Sequence, residues 1–233
     1  MMSRKFELNE AARKAKVDKT RRDMEAKELK QSRKKGKGPS PEVCEQYVAL
    51  DCEMVGTGVS GRHSALAQCC ITDWHGNTLY CSYVRPPERV TDFRTFVSGI
   101  RATHLKGADA VTLLECQKAV AAITKGRIIV GHALHNDLKA LMLSHPKNMI
   151  RDTATYRPYK RPNRAGKLAP RSLKHLALEF LGREIQGGEH SPAEDAIAAM
   201  DLFKLKWAEW ETSLKQGRVG KKAGASKPVR QIA

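Results

Sequence analysis

Four acidic residues and one histidine have the types and settings to do chemistry in this chain. Asp51 and Glu53 stand two apart in YVALDCEMVG, Asp137 lies in VGHALHNDLKAL, and Asp195 lies in HSPAEDA, five residues after His190. Brought together by folding, they form a nest of four carboxylates with an imidazole at its rim. Like charges packed side by side repel. Divalent cations remove that repulsion, and an all-oxygen donor set selects Mg²⁺ or Mn²⁺. Two such cations against a phosphodiester promote its hydrolysis, so the first expectation is a nuclease.

The elements around these residues must bring them to one place. QYVALDCEM is apolar and β-branched enough for a buried strand, with the acid pair expected at its end. Residues two apart on a strand share a face, so Asp51 and Glu53 point one way and Val48, Leu50 and Cys52 point into the core. SALAQCCITDW and TLYCSYVRP flank the turn HGN as a hairpin does. A loop is expected from Pro86 to about Asp109. Ala110–Thr124 has helical spacing, with Leu113, Val120 and Ile123 apolar. RIIVGH is a short strand, and Asp137 opens the helix after it, where open α/β sheets place their ligands. That helix should carry Leu138, Leu141 and Met142 on one face. MIRDT reads as a strand, and SLKHLALEFLG as a helix ended by Gly182. The last helix should run from Ser191 to about Leu214. Ser191, Pro192 and Glu194 suit N-cap, N1 and N3 of a capping box. Capping accounts for Glu194 but not for His190 or Asp195. His190 sits outside the helix, on a Gly-Gly-Glu-His loop free to move.

Charge separates the ends from the middle. The net charge is +17, of which residues 1–40 carry +8 and residues 215–233 carry +6. The near-balanced middle, 43–214, is the expected folded domain, flanked by a basic arm at 1–40 and a flexible basic tail from 215. Basic ends suit a polyanion, through counterion release, or serve as solvated extensions. The cluster SRKKGKGPSP is compatible with nuclear import. No apolar run approaches the ~18 residues that span a bilayer, and the charged start from Arg4 lacks a secretory apolar stretch, so no membrane attachment is expected. The six cysteines include no C-x-x-C pair, which argues against a zinc ribbon. A reduced compartment with buried thiols is expected.

The motifs DCEM, GHALHND and HSPAED resemble the three exonuclease motifs of the DEDD superfamily, in the subclass with histidine in the third motif. DCEMVGTG, YVRPPERVTDFRTFVSGI and GHALHNDLKAL are most similar to the RNA exonuclease 4 and interferon-stimulated exonuclease-like group. The resemblance spans about residues 45–210. It implies an α/β, ribonuclease-H-like fold: a mixed five-stranded sheet flanked by helices. It implies 3′→5′ exonuclease action on single-stranded RNA or DNA. By motif position Asp51, Glu53, Asp137 and Asp195 would be metal ligands for two Mg²⁺ or Mn²⁺ ions, and His190 the general base. Met54 is a candidate contact for the terminal base or sugar, and Arg94 for a sugar hydroxyl or phosphate. Leu134 is a candidate wedge at the terminal base, although a core role is the favoured reading. The basic loop KRPNRAGKLAPR could track a nucleic-acid backbone or simply be solvated. The group suggests the nucleus, in particular the nucleolus, and ribosomal RNA processing. Two rivals stand beside this reading: a DNA-preferring nuclease of damage or cell death, and a non-catalytic RNA-binding assembly factor. Oligomeric state is open, with a monomer as default.

Overall fold

The computed structural model describes residues 38–223, with side chains placed through Gln216. Residues 1–37 of the expected arm and 224–233 of the expected tail lie outside the described residues. The strands are β1 (Tyr47–Thr57), β2 (His63–Asp73), β3 (Thr78–Arg85), β4 (Val90–Asp92), β5 (Val111–Thr112), β6 (Ile128–Gly131), β7 (Ile150–Asp152), β8 (Arg161–Pro162) and β9 (Leu168–Ala169). The α-helices are α1 (Pro41–Cys44), α2 (Thr95–Ser98), α3 (Ala102–Lys106), α4 (Leu113–Thr124), α5 (His135–Ala140), α6 (Leu173–Leu176) and α7 (Pro192–Ala223). No helix among the described residues is long and apolar enough to cross a membrane.

The sheet has seven strands in the order β5-β3-β2-β1-β6-β7, with β4 paired to β1. Setting aside the short β4 and β5, the strands β3-β2-β1-β6-β7 make the expected mixed five-stranded sheet. β1, β2 and β3 are antiparallel neighbours, whereas β6 and β7 run parallel to β1. The hairpin expected at HGN is present. Asp73 closes it by accepting the backbone N–H groups of His75 and Asn77 at 2.8 Å each.

Strand alternation sorts β1 between two cores. Val48, Leu50 and Cys52 join Cys69, Ile71, Cys116, Val120, Ile129 and Leu141 beneath α4 and α5. Tyr47 and Ala49 pack with Val130, Ala196, Met200, Phe203 and Trp210 under α7. Burying such side chains contributes on the order of 1.5–3 kcal/mol each. By the same parity Asp51 and Glu53 belong to the α7 face, the face that carries Asp195. The edge strand is tied to α7 by a part-buried ion pair, with Arg151 Nε 2.6 Å from Glu211 Oε1 and Nη2 3.0 Å from Oε2.

Several elements differ from the sequence expectation. The segment from Pro86 to Asp109 is not an open loop, since β4, α2 and α3 form within it. Thr112 is in β5 and caps α4, in a box with Glu115 that starts the helix later than Ala110. Met142 is 73% exposed with φ +52, because α5 ends at Ala140 and turns the chain before Met142 reaches the buried face. α7 continues to Ala223, past the expected end at Leu214. Cys52 and Cys69 are buried free thiols, as expected of strand cysteines, and so are Cys44 and Cys116, but Cys70 and Cys81 stand opposite each other in the β2–β3 register and are joined as a disulfide.

Candidate active site

The place where β1 outlasts its parallel neighbour creates the site. β6 pairs with β1 only at Tyr47, Val48 and Ala49, then ends at Gly131. β1 continues to Thr57 along β2, so Asp51 and Glu53 lie in mid-strand and not at its end. They do lie just past the carboxyl end of the parallel pairing, where a crevice opens. Gly131 makes the turn possible: a Cβ there would sit 2.4 Å from Leu134 Cδ2 and 2.8 Å from the Leu50 carbonyl oxygen.

β6 no longer claims the Cys52 N–H, and Asp137 Oδ1 accepts it at 3.1 Å. This bond sets α5 against β1. Asp152, at the end of β7, accepts the Ala133 and Ala154 N–H groups at 2.8 and 2.9 Å and that of Leu134 at 3.2 Å. Asp152 thereby holds the turn that delivers Asp137. Sequence reading missed this role, although the acid in MIRDT at a strand end was a visible signal.

The cleft itself is about 260 Å³ and is lined by Asp51, Cys52, Glu53, His132, Ser172, Leu173, Gln186, His190 and Asp195. Glu53, His190 and Asp195 each place a ligand atom within 4.8 Å of the others. His190 Nδ1 is 3.9 Å from Glu53 Oε1 and 3.8 Å from Asp195 Oδ2. Asp51 also lines the cleft, whereas Asp137, with one oxygen committed to the Cys52 N–H, is not among the lining residues, and neither of the two joins the cluster of Glu53, His190 and Asp195. The loop before α7, expected to be free, is fastened: His190 N–H donates to Val97 O at 2.8 Å, and Glu189 pairs with Arg101. Ser191 caps α7 only loosely, with its Oγ 3.5 Å from the Glu194 N–H.

The carboxylates are perturbed as a group. Burial pushes Asp51 well above the usual range, and Asp137, Asp195 and Glu53 add to it in that order. Burial, then Asp195 and Asp137, push Glu53 up to about 8. Burial takes Asp137 up to about 7 against the opposing pull of its backbone hydrogen bonds, Cys52 N–H among them. Asp195 is raised by burial and held down in part by the Gln186 amide and by His190. His132, which sequence reading did not single out, is lowered by burial and bonds Thr153 Oγ1 through Nδ1 at 2.9 Å. A nest of this kind favours a bound cation or protons. Asp195 Oδ1 is buried without a hydrogen-bond partner, and the donor set is four carboxylates and one imidazole. These residues fit hard divalent cations.

Met54 and Arg94 line a second, adjoining cleft of about 620 Å³ together with His63, Ser64, Asn136 and Lys139. Arg94 is clamped there, its Nη1 on Ser64 Oγ and Nη2 on Gly61 O at 2.9 Å each. Leu134 takes the core role favoured over the wedge: it is 1% exposed in the main core beside Gly131 and is not among the residues that line the cleft. The basic loop is a β8–β9 hairpin. Arg161 and Arg171 in it are ion-paired with Glu179.

Fold and carboxylate cleft together have the layout of a nuclease. Residues 48–203 match the exonuclease family model RNase_T, and the chain belongs to that family. It is 48% identical over 186 residues to RNA exonuclease 4 of Kluyveromyces lactis, a match covering 80% of this chain and 60% of that protein. It is 44% identical over 185 residues to interferon-stimulated 20 kDa exonuclease-like 2 of Homo sapiens, covering 78% and 52% respectively. The chain thus spans about half the length of such relatives. Among solved structures it is similar to the Saccharomyces cerevisiae Pan2 pseudoubiquitin hydrolase–RNA exonuclease module in complex with A7 RNA, with TM-score 0.61 and 28% identity over 78% of this chain and 33% of that one. That likeness fits the ribonuclease-H-like architecture expected from the motifs.

Proposed function

We propose that the chain is a 3′→5′ exoribonuclease that shortens single-stranded RNA by hydrolysis and releases nucleoside 5′-monophosphates. The observation that carries this reading is the cleft in which Glu53, Asp195 and His190 meet, with Asp51 on its lining and Asp137 close enough to raise the Asp51 and Glu53 carboxyls. Asp51, Glu53, Asp137 and Asp195 would hold two Mg²⁺ or Mn²⁺ ions. When bound, these ions supply positive charge to the phosphodiester and make water more acidic. His190 takes up the proton of the attacking water. Oxygen then adds to phosphorus, the P–O3′ bond breaks, and the shortened strand keeps the 3′ oxygen, which gains a proton. Met54 and Arg94 orient the end of the strand from the adjoining cleft. Arg94's fixed guanidinium retains N–H donors beyond the two used by Ser64 and Gly61.

The names of the relatives support RNA over DNA, and the RNA complex of the Pan2 module supports a single-stranded ligand. The basic ends suit a nuclear, nucleolar setting in ribosomal RNA processing, which is the setting the motif resemblance implies. The test uses matched 5′-labelled RNA and DNA oligomers with Mg²⁺, Mn²⁺ or chelator, and 3′-blocked controls. The expected products from unblocked RNA are a ladder of 5′-labelled strands shortened from the 3′ end, together with unlabelled mononucleotides, formed only with metal. Inertness with both metals refutes the enzyme and revives the assembly-factor reading. Faster loss of DNA moves the protein to the DNA-preferring class.

A further inference from the structure

We propose that Gln186 is a positioning residue that sets the Asp195 carboxylate for cation binding. This rests on reading the four acids as the cation site. Gln186 Nε2 donates to Asp195 Oδ2 at 2.6 Å. Asp195 is 3% exposed, and its Oδ1 is buried with no hydrogen-bond partner. One oxygen is therefore fixed by the amide, and the other keeps its lone pairs unused. A carboxylate without that bond could rotate about its side-chain torsions and present either oxygen.

Gln186 is itself held in place. Lys174 Nζ donates to the Gln186 backbone carbonyl oxygen at 2.8 Å, and the preceding Ile185 is buried at 2% exposure in the core beside α6 and α7. Its backbone has φ +54, in the left-handed region that favours glycine. A glutamine there needs a compensating contact, and the bond to Asp195 supplies one. The chemistry of the side chain also suits the task. A neutral amide donates a hydrogen bond without adding charge. A lysine or arginine would place a fixed positive charge where a cation must bind, and a glutamate would add another repelling carboxylate. Gln186 lines the cleft, yet its effect is exerted through Asp195.

The experiment is a calorimetric titration of the full chain with Mn²⁺, without substrate. It compares the parental protein with Gln186→Gly, which suits the local backbone, and Gln186→Leu, which keeps side-chain bulk. Loss of a hydrogen bond to a metal-ligating group typically costs about 10–100-fold in metal affinity. Both variants are expected to show a Kd for Mn²⁺ raised by that factor, with KM for an RNA oligomer unchanged and kcat recovered at saturating Mn²⁺. A Kd within twofold of parental in either variant overturns the inference and leaves the cation site standing. A parental protein that takes up no Mn²⁺ overturns the cation site and this inference with it.

Discussion

Replacing Glu53 by Gln probes the repulsion inside the nest directly. Glu53 is 7% exposed, and its carboxyl is pushed up to about 8 from an ordinary value of 4.5, first by burial and then by Asp195 and Asp137. Between those two values the folded protein keeps a proton that the unfolded chain has lost. Stability from this group is therefore fully present below pH 4.5 and is lost as pH rises through 8. With about 1.36 kcal/mol per pH unit, the loss amounts to about 3 kcal/mol at pH 7 and under about 1 kcal/mol at pH 5. Water in the cleft screens the acids, so both figures are upper bounds. Glutamine cannot ionise and escapes the penalty. For a domain of this size about 2–4 °C accompanies each kcal/mol, so Glu53→Gln should raise Tm by up to about 6–12 °C in chelator at pH 7. At pH 5 the gain should fall to about 1–4 °C. Differential scanning calorimetry of both proteins at the two pH values reads this out. With excess Mn²⁺ the order should narrow or invert, because the parental protein gains ligand-binding free energy that the variant lacks. No gain at pH 7 in chelator, or an equal gain at pH 5, refutes the reasoning.

Three other outcomes are expected. Asp51→Asn and Asp195→Asn should each abolish metal-dependent mononucleotide release with an unchanged circular dichroism spectrum; retained activity in either variant sinks the two-metal assignment. His190→Ala should lower kcat by about 10²–10⁴-fold while Mn²⁺ affinity, read by calorimetry, stays close to parental. Collapse of that affinity would make His190 a ligand and not the base. Arg151→Met leaves the part-buried Glu211 carboxylate without its partner and should cost about 1–3 kcal/mol in urea unfolding; a loss under about 0.5 kcal/mol would show that the pair is solvated.

Much of the fold was legible because its signals are local. The apolar runs of β1, β2, β3, β6 and β7 are short and bounded by turn residues, and α4 and α7 have long helical spacing. The misplaced pieces are those without a periodic signal. β4, α2 and α3 are a few residues each and form because β1, β2 and Glu189 offer them partners. Met142 fits a helical wheel well, but α5 stops before it. The pairing of Cys70 with Cys81 follows from the β2–β3 register, which cysteine spacing does not reveal.

The five polar residues could be picked out from the chain alone. Their types, the parity of Asp51 with Glu53, and the cap that accounts for Glu194 are properties of neighbours in sequence. Their convergence is not. It depends on where β6 stops beside β1, which frees the Cys52 N–H for Asp137 and opens the crevice. It depends on α7 crossing the sheet face that carries Asp51 and Glu53, so that Asp195 meets them. The supporting residues, Asp152 and Gln186, were invisible for the same reason: each acts through a hydrogen bond across 9 to 19 positions of chain. Such bonds exist only once the elements have packed.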